Sequence, residues 1–139
     1  MASVKVADRI AASPDAVWEL LRDFGGIQKF SAGIEACTVE GEGVGAVRTI
    51  RMPGGLALRE RLEAFDDAGR SLSYAILGET PLPFTDYLST IRLSEDGDGC
   101  GIEWSSTFEP KAAAEAKARS IIESIYTGGI RGLKKALGA

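Results

Sequence analysis

At 139 residues the chain has the length of one domain with a continuous core; it is 45% hydrophobic and 26% charged, with a formal net charge of -4. A mildly acidic chain without a basic cluster argues against nucleic acid or anionic membrane as the main partner, and no apolar run is long enough to span a bilayer. Histidine is absent, which removes the commonest general base, the usual zinc ligand and every Ser-His or Cys-His nucleophile arrangement.

The N-terminus, Met1-Ala2-Ser3-Val4-Lys5-Val6, lacks the charged and hydrophobic blocks of a signal peptide, so a cytoplasmic location is expected. Val4, Val6 and Asp8 alternate with Lys5, Ala7 and Arg9, which predicts a first strand over about residues 3–11. Ser13-Pro14-Asp15 supplies an N-cap, a proline at the first helical position and an acidic first turn. Val17, Leu20, Leu21 and Phe24 then recur at helical spacing, predicting a helix from Pro14 to about Asp23, stopped by Gly25-Gly26. Ile27 to Phe30 fits a further short helical turn.

From residue 34 the pattern becomes strands and tight turns, with strands expected at about 35–40, 45–52, 56–66, 71–77, 84–94 and 101–109. The separators Gly41-Glu42-Gly43, Pro53-Gly54-Gly55, Asp66-Asp67-Ala68-Gly69 and Asp96-Gly97-Asp98-Gly99 carry turn chemistry and favour an antiparallel meander. Cys37 and Cys100 form no CxxC pair, and no metal site or cofactor is expected. Lys111 to about Lys135 reads as one helix of about 25 residues, roughly 37 Å long. Its stripe is Ala118, Ile121, Ile122, Ile125, Tyr126, Ile130, Leu133 and Leu137. Gly128-Gly129 inside it costs about 2 kcal/mol relative to alanines, which suggests that bulk is excluded there by a sheet residue, a ligand or a kink, with close helix–sheet packing the leading cause. One domain, 1–139, is expected: an α+β fold in which a curved seven-stranded antiparallel sheet wraps a long C-terminal helix.

One residue breaks the core pattern. In the strand from Leu56 to Phe65, Leu56, Leu58, Glu60, Leu62 and Ala64 share one face; Ala57, Arg59, Arg61, Glu63 and Phe65 share the other. An ionised carboxylate on an apolar face needs a partner or solvent, so Glu60 reads as a polar anchor facing a cavity. If Pro53-Gly54-Gly55 closes a hairpin with Met52 opposite Leu56, Arg48 falls opposite Glu60. A register shifted by one puts Val47 there and turns Arg48 outward. Tyr74 and Ile76, Tyr87 and Ser89, and Trp104 and Ser106 lie on candidate inner strand faces. They combine apolar area with hydroxyl or indole groups, the mixture of a small-molecule pocket. With Arg48, Leu58, Glu60 and Leu62, and with Ile122, Ile125, Tyr126 and Gly129 of the long helix, they form the candidate ligand-binding set.

The chain resembles the helix-grip fold of the START and birch-pollen-allergen superfamily (SRPBCC), and most of all its small bacterial polyketide cyclase/dehydrase-type members. The resemblance covers essentially all residues. It rests on Ala12-Ser13-Pro14-Asp15-Ala16-Val17-Trp18, Glu60-Arg61-Leu62, Asp66-Asp67, Pro81-Leu82-Pro83, Trp104-Ser105-Ser106 and the closing helix. Glu60-Arg61-Leu62-Glu63, Leu72-Ser73-Tyr74, Gly78-Glu79 and Asp86-Tyr87 are also similar to plant abscisic-acid receptors. That resemblance implies a pocket bordered by Glu60 and Tyr87, with loops 52–57 and 78–85 at the places of gate and latch. The receptors' His-Arg-Leu latch is replaced by Thr80-Pro81-Leu82-Pro83, and their hormone-binding lysine has no clear match.

Three functions fit the sequence. The first is binding of a small lipophilic or aromatic molecule in an apolar cavity between sheet and helix. The second is an aromatase, cyclase or dehydrase reaction with Glu60 and Tyr87 as acid–base groups. The third, a protein-interaction module without a ligand, predicts an interior filled by side chains.

Overall fold

The computed structural model describes residues 1–139. Strand β1 (Ala2–Ile10) leads through the N-cap at Ser13 into helix α1 (Pro14–Leu21), where Ser13 Oγ accepts from the Ala16 amide at 3.1 Å. A 3₁₀ turn, Ile27–Lys29, follows. Strands β2 (Ala36–Glu40), β3 (Val47–Arg51), β4 (Ala57–Asp66), β5 (Ser71–Leu77), β6 (Phe84–Asp96) and β7 (Gly99–Pro110) then run to the long helix α2 (Glu115–Leu137). The sheet has seven antiparallel strands in the order β1-β7-β6-β5-β4-β3-β2. Helix α2 packs on its β1–β7 half and is met by α1. This is the helix-grip α+β fold expected.

Two features of α2 explain how closely it approaches. A Cβ on Gly129 would lie 2.5 Å from the Trp104 ring, so the indole rests directly on the helix backbone. A Cβ on Gly132 would collide with the carbonyl oxygen of Phe30, at 1.6 Å. The expectation of close packing therefore holds for Gly129, whereas Gly128 faces open space.

Three local expectations need correction. Helix α2 starts at Glu115, not Lys111: Ala113 has φ 55, and the Lys111 amide is tied to the Pro83 carbonyl. Tertiary anchoring overrides the helix propensity of Lys-Ala-Ala-Ala. In β4 the register shifts between Leu62 and Ala64, which breaks the two-residue alternation. Phe65 is thereby brought opposite Leu72 and stacks on Trp18 at 5.5 Å, while Ala64 is exposed. In β6 a second shift at Asp86 (φ 53) lets Phe84 and Tyr87 both face the core.

Candidate functional site

The hairpin register is the one that pairs Arg48 with Glu60, and the Met52 amide donates to the Leu56 carbonyl at the turn. Both side chains are buried, each 7% exposed as a residue. Arg48 Nε and Nη2 approach the same oxygen, Glu60 Oε1, at 2.8 and 2.7 Å. Its Nη1 donates to the Phe24 carbonyl at 3.1 Å. The guanidinium also lies over the Phe24 ring at 4.1 Å and the Tyr74 ring at 5.0 Å, so its faces are covered by π-systems. This charge is matched on every side, and the second oxygen of Glu60 lies outside the pair.

A neutral polar cluster occupies the other part of the inner face, beneath α2. The Trp104 indole N–H is shared between Tyr74 Oη (3.2 Å) and Ser89 Oγ (3.1 Å). Ser89 is 2.9 Å from the Tyr126 hydroxyl and 3.3 Å from the Ser105 carbonyl, to which it can donate. The hydroxyls of Tyr87 and Tyr126 share a further hydrogen bond, and Trp104 stacks on Tyr126 at 5.0 Å. Ser106, opposite Ser89 in the β6–β7 ladder and 4% exposed, has a hydroxyl with no hydrogen-bond partner. It lies close to the Tyr126 phenol and favours its ionised form. Burial nevertheless pushes the phenols of Tyr74, Tyr87 and Tyr126 upward, so all three stay protonated and act as donors.

The candidate set is thus largely brought together. Leu58, Leu62, Ile122 and Gly129 are buried around these polar groups or on the helix that covers them. Ile76 is half-buried at the margin. Ile125 is the exception: it is 46% exposed on the outer flank of α2. Sequence reasoning missed Phe24, whose ring and carbonyl hold Arg48, because its helical spacing read only as core. It also missed Phe84, hidden by the break in alternation at Asp86.

The space between α2 and the sheet is occupied by aromatic side chains, with Tyr74, Tyr87, Phe84 and Phe108 forming a chain of ring contacts together with the Trp104–Tyr126 stack. Of seven depressions, the three best formed open to the outside, and none of these three has walls from both α2 and the sheet. One of about 560 Å³ lies where β5 and β6 part, bounded by Ile76, Gly78, Phe84 and Tyr87, and so reaches the edge of the neutral cluster. Another, of about 670 Å³, lies beside Phe24 and Cys37. Burial raises the Cys37 thiol pKa, against the pull of Arg48, so it is not an activated nucleophile. No helix is long and apolar enough to cross a membrane.

The fold has close counterparts. A protein from Bacillus thuringiensis superposes with a TM-score of 0.89 at 31% identity, covering 99% of this chain and 100% of that one. XoxI from Bacillus cereus gives a TM-score of 0.88 at 33% identity, covering 98% and 95%. Ara h 8.0201, at 17% identity and a TM-score of 0.81, shares the fold over 99% of both chains. The abscisic acid receptor PYL2 of Arabidopsis thaliana is 35% identical over 78 residues, which are 52% of this chain and 41% of the receptor. The matched segment therefore spans less than half of the receptor's length. Residues 1–138 match the family described as polyketide cyclase / dehydrase and lipid transport, and the chain belongs to that family.

Proposed function

We propose that the chain binds a small lipophilic or aromatic molecule between α2 and the sheet, with Glu60, held by Arg48, as a polar anchor. The observation that carries this reading is the buried Arg48–Glu60 pair on an otherwise apolar face. Well-packed hydrophobic residues would serve stability as well or better, by about 1–4 kcal/mol, so the pair points to a use other than packing. The family's description and the mixed apolar and hydroxyl lining agree with it. Access requires side chains to move, and loops 52–57 and 78–85 carry Gly54, Gly55 and Gly78 at positive φ in open space.

An enzyme of the cyclase or dehydrase type, with Glu60 and Tyr87 as acid–base groups, is the second reading. Glu60 is the one carboxylate among the buried residues, which leaves it without a carboxylate partner for two-step proton transfer. The filled interior favours a third, an interaction module without a ligand. Mass spectrometry of the purified protein under native conditions separates them. A binding protein carries or takes up an apolar molecule and keeps most of its affinity as Glu60→Gln; an enzyme loses turnover in that variant. A chain that stays bare and takes up no apolar probe is neither.

A further inference from the structure

The neutral cluster contains more hydrogen-bond donors than its contacts use. Tyr74, Tyr87, Ser89, Trp104, Ser106 and Tyr126 each bring one polar hydrogen. The single indole hydrogen serves two of the bonds described, to Tyr74 and Ser89. Ser89 can donate to the Ser105 carbonyl, Tyr126 to Ser89, and Tyr87 to Tyr126. In that ordering the Tyr74 hydroxyl is only an acceptor, from Trp104, and Ser106 Oγ, close to the Tyr126 phenol, makes no hydrogen bond. A buried donor without an acceptor is costly, and what it lacks is an oxygen lone pair.

Charge narrows the class further. The buried charged residues are Arg48 and Glu60, which neutralise each other, and the guanidinium is also occupied by Phe24. An anionic ligand would bring a charge into this interior with no free cation to meet it, and desolvating such a charge is expensive. An ammonium ligand would likewise bring a net charge, since the Glu60 charge is already balanced by Arg48.

Resting on the binding function proposed above, we infer that the ligand is a neutral, largely apolar molecule that presents a hydrogen-bond acceptor, a carbonyl oxygen above all, to this cluster. That oxygen is received by the hydroxyls of Ser106 and Tyr74, while the apolar body displaces part of the aromatic filling. The Arg48–Glu60 pair lies at the other end of the same face, where the second oxygen of Glu60 is left to accept from a donor elsewhere on the same molecule.

Isothermal titration with three probes of one shape tests this: 2-acetylnaphthalene, 2-ethylnaphthalene and 2-naphthoate. The acetyl compound should bind about tenfold more tightly than its ethyl counterpart, the scale of one or two buried hydrogen bonds, and the naphthoate should bind most weakly. Ser106→Ala should bring the acetyl-to-ethyl affinity ratio close to one, and Tyr74→Phe, which keeps the ring over Arg48, should do the same. Tighter binding of the naphthoate, or equal binding of acetyl and ethyl compounds, overturns the inference and leaves the binding function standing. Failure of all three probes, together with a bare protein in native mass spectrometry, overturns both.

Discussion

The inner face of the sheet holds two polar regions built on opposite principles. On β3 and β4, Arg48 and Glu60 are fully charged in type, and the guanidinium is matched by a carboxylate, a carbonyl and two rings. On β5, β6, β7 and α2, the groups are neutral and incompletely matched, with Ser106 the clearest case. Charge had to be satisfied locally, because an unmatched ion costs more than the fold can bear. A hydroxyl left over costs far less. The guanidinium is thus the self-contained part of this interior, and the hydroxyls, with the second oxygen of Glu60, are the part with capacity to spare.

The largest effect should come from breaking the charged region. Arg48→Ala leaves Glu60 buried without its partner and should cost about 3–5 kcal/mol of stability, read as a lower urea midpoint. Replacing both residues, Arg48→Met with Glu60→Leu, should recover most of that loss. A single substitution costing less than about 1 kcal/mol would put the pair in the class of solvated surface bridges and remove the contrast.

The neutral region is tested by alkali. All three tyrosines of the chain are in it, and burial holds each phenol above its usual 10.0. For a group whose folded pKa is raised, the associated stability is complete below the unfolded value and is lost as pH rises beyond it. Phenolate absorbance should therefore appear above pH 10 in one cooperative step that coincides with loss of circular dichroism. Phenols that ionise at the ordinary pH in an intact fold would mean that water already reaches the cluster.

The smallest effect separates adjacent glycines. Gly129→Ala drives a methyl into the Trp104 ring and should destabilise by about 1–3 kcal/mol. Gly128→Ala meets nothing and should stabilise by about 0.5–1 kcal/mol in thermal melts. Equal effects would mean that α2 does not rest on the neutral cluster as closely as this geometry requires.

Much of this was legible in the sequence because alternation and turn chemistry are local. Ser13-Pro14-Asp15 fixed the start of α1, and the Pro53-Gly54-Gly55 turn made the Arg48–Glu60 register one of two possibilities. Choosing between them required the Phe24 carbonyl, which is remote in sequence. The bulges at Leu62/Ala64 and near Asp86 were not legible, since an extra residue in one strand is defined only by its partner strand. Phe65 and Phe84 were misplaced or overlooked for that reason. The occupied interior was equally hidden: a sequence gives the identity of lining side chains, not the distance between helix and sheet.

That distance has a mechanical consequence at Gly132. The Phe30 carbonyl occupies the place where a side chain at this position would begin. Rolling α2 about its own axis would carry Arg131 or Leu133 toward the carbonyl, and neither has room there. The helix is keyed like a shaft in a slot: roll is blocked by backbone, while motion away from the sheet is opposed by side-chain bonds such as Arg119 to Ser3 and Lys134 to Asp8. A guest molecule would therefore be accommodated by lift of the helix and not by its rotation, so that Tyr126 still faces Trp104 as the two rings part.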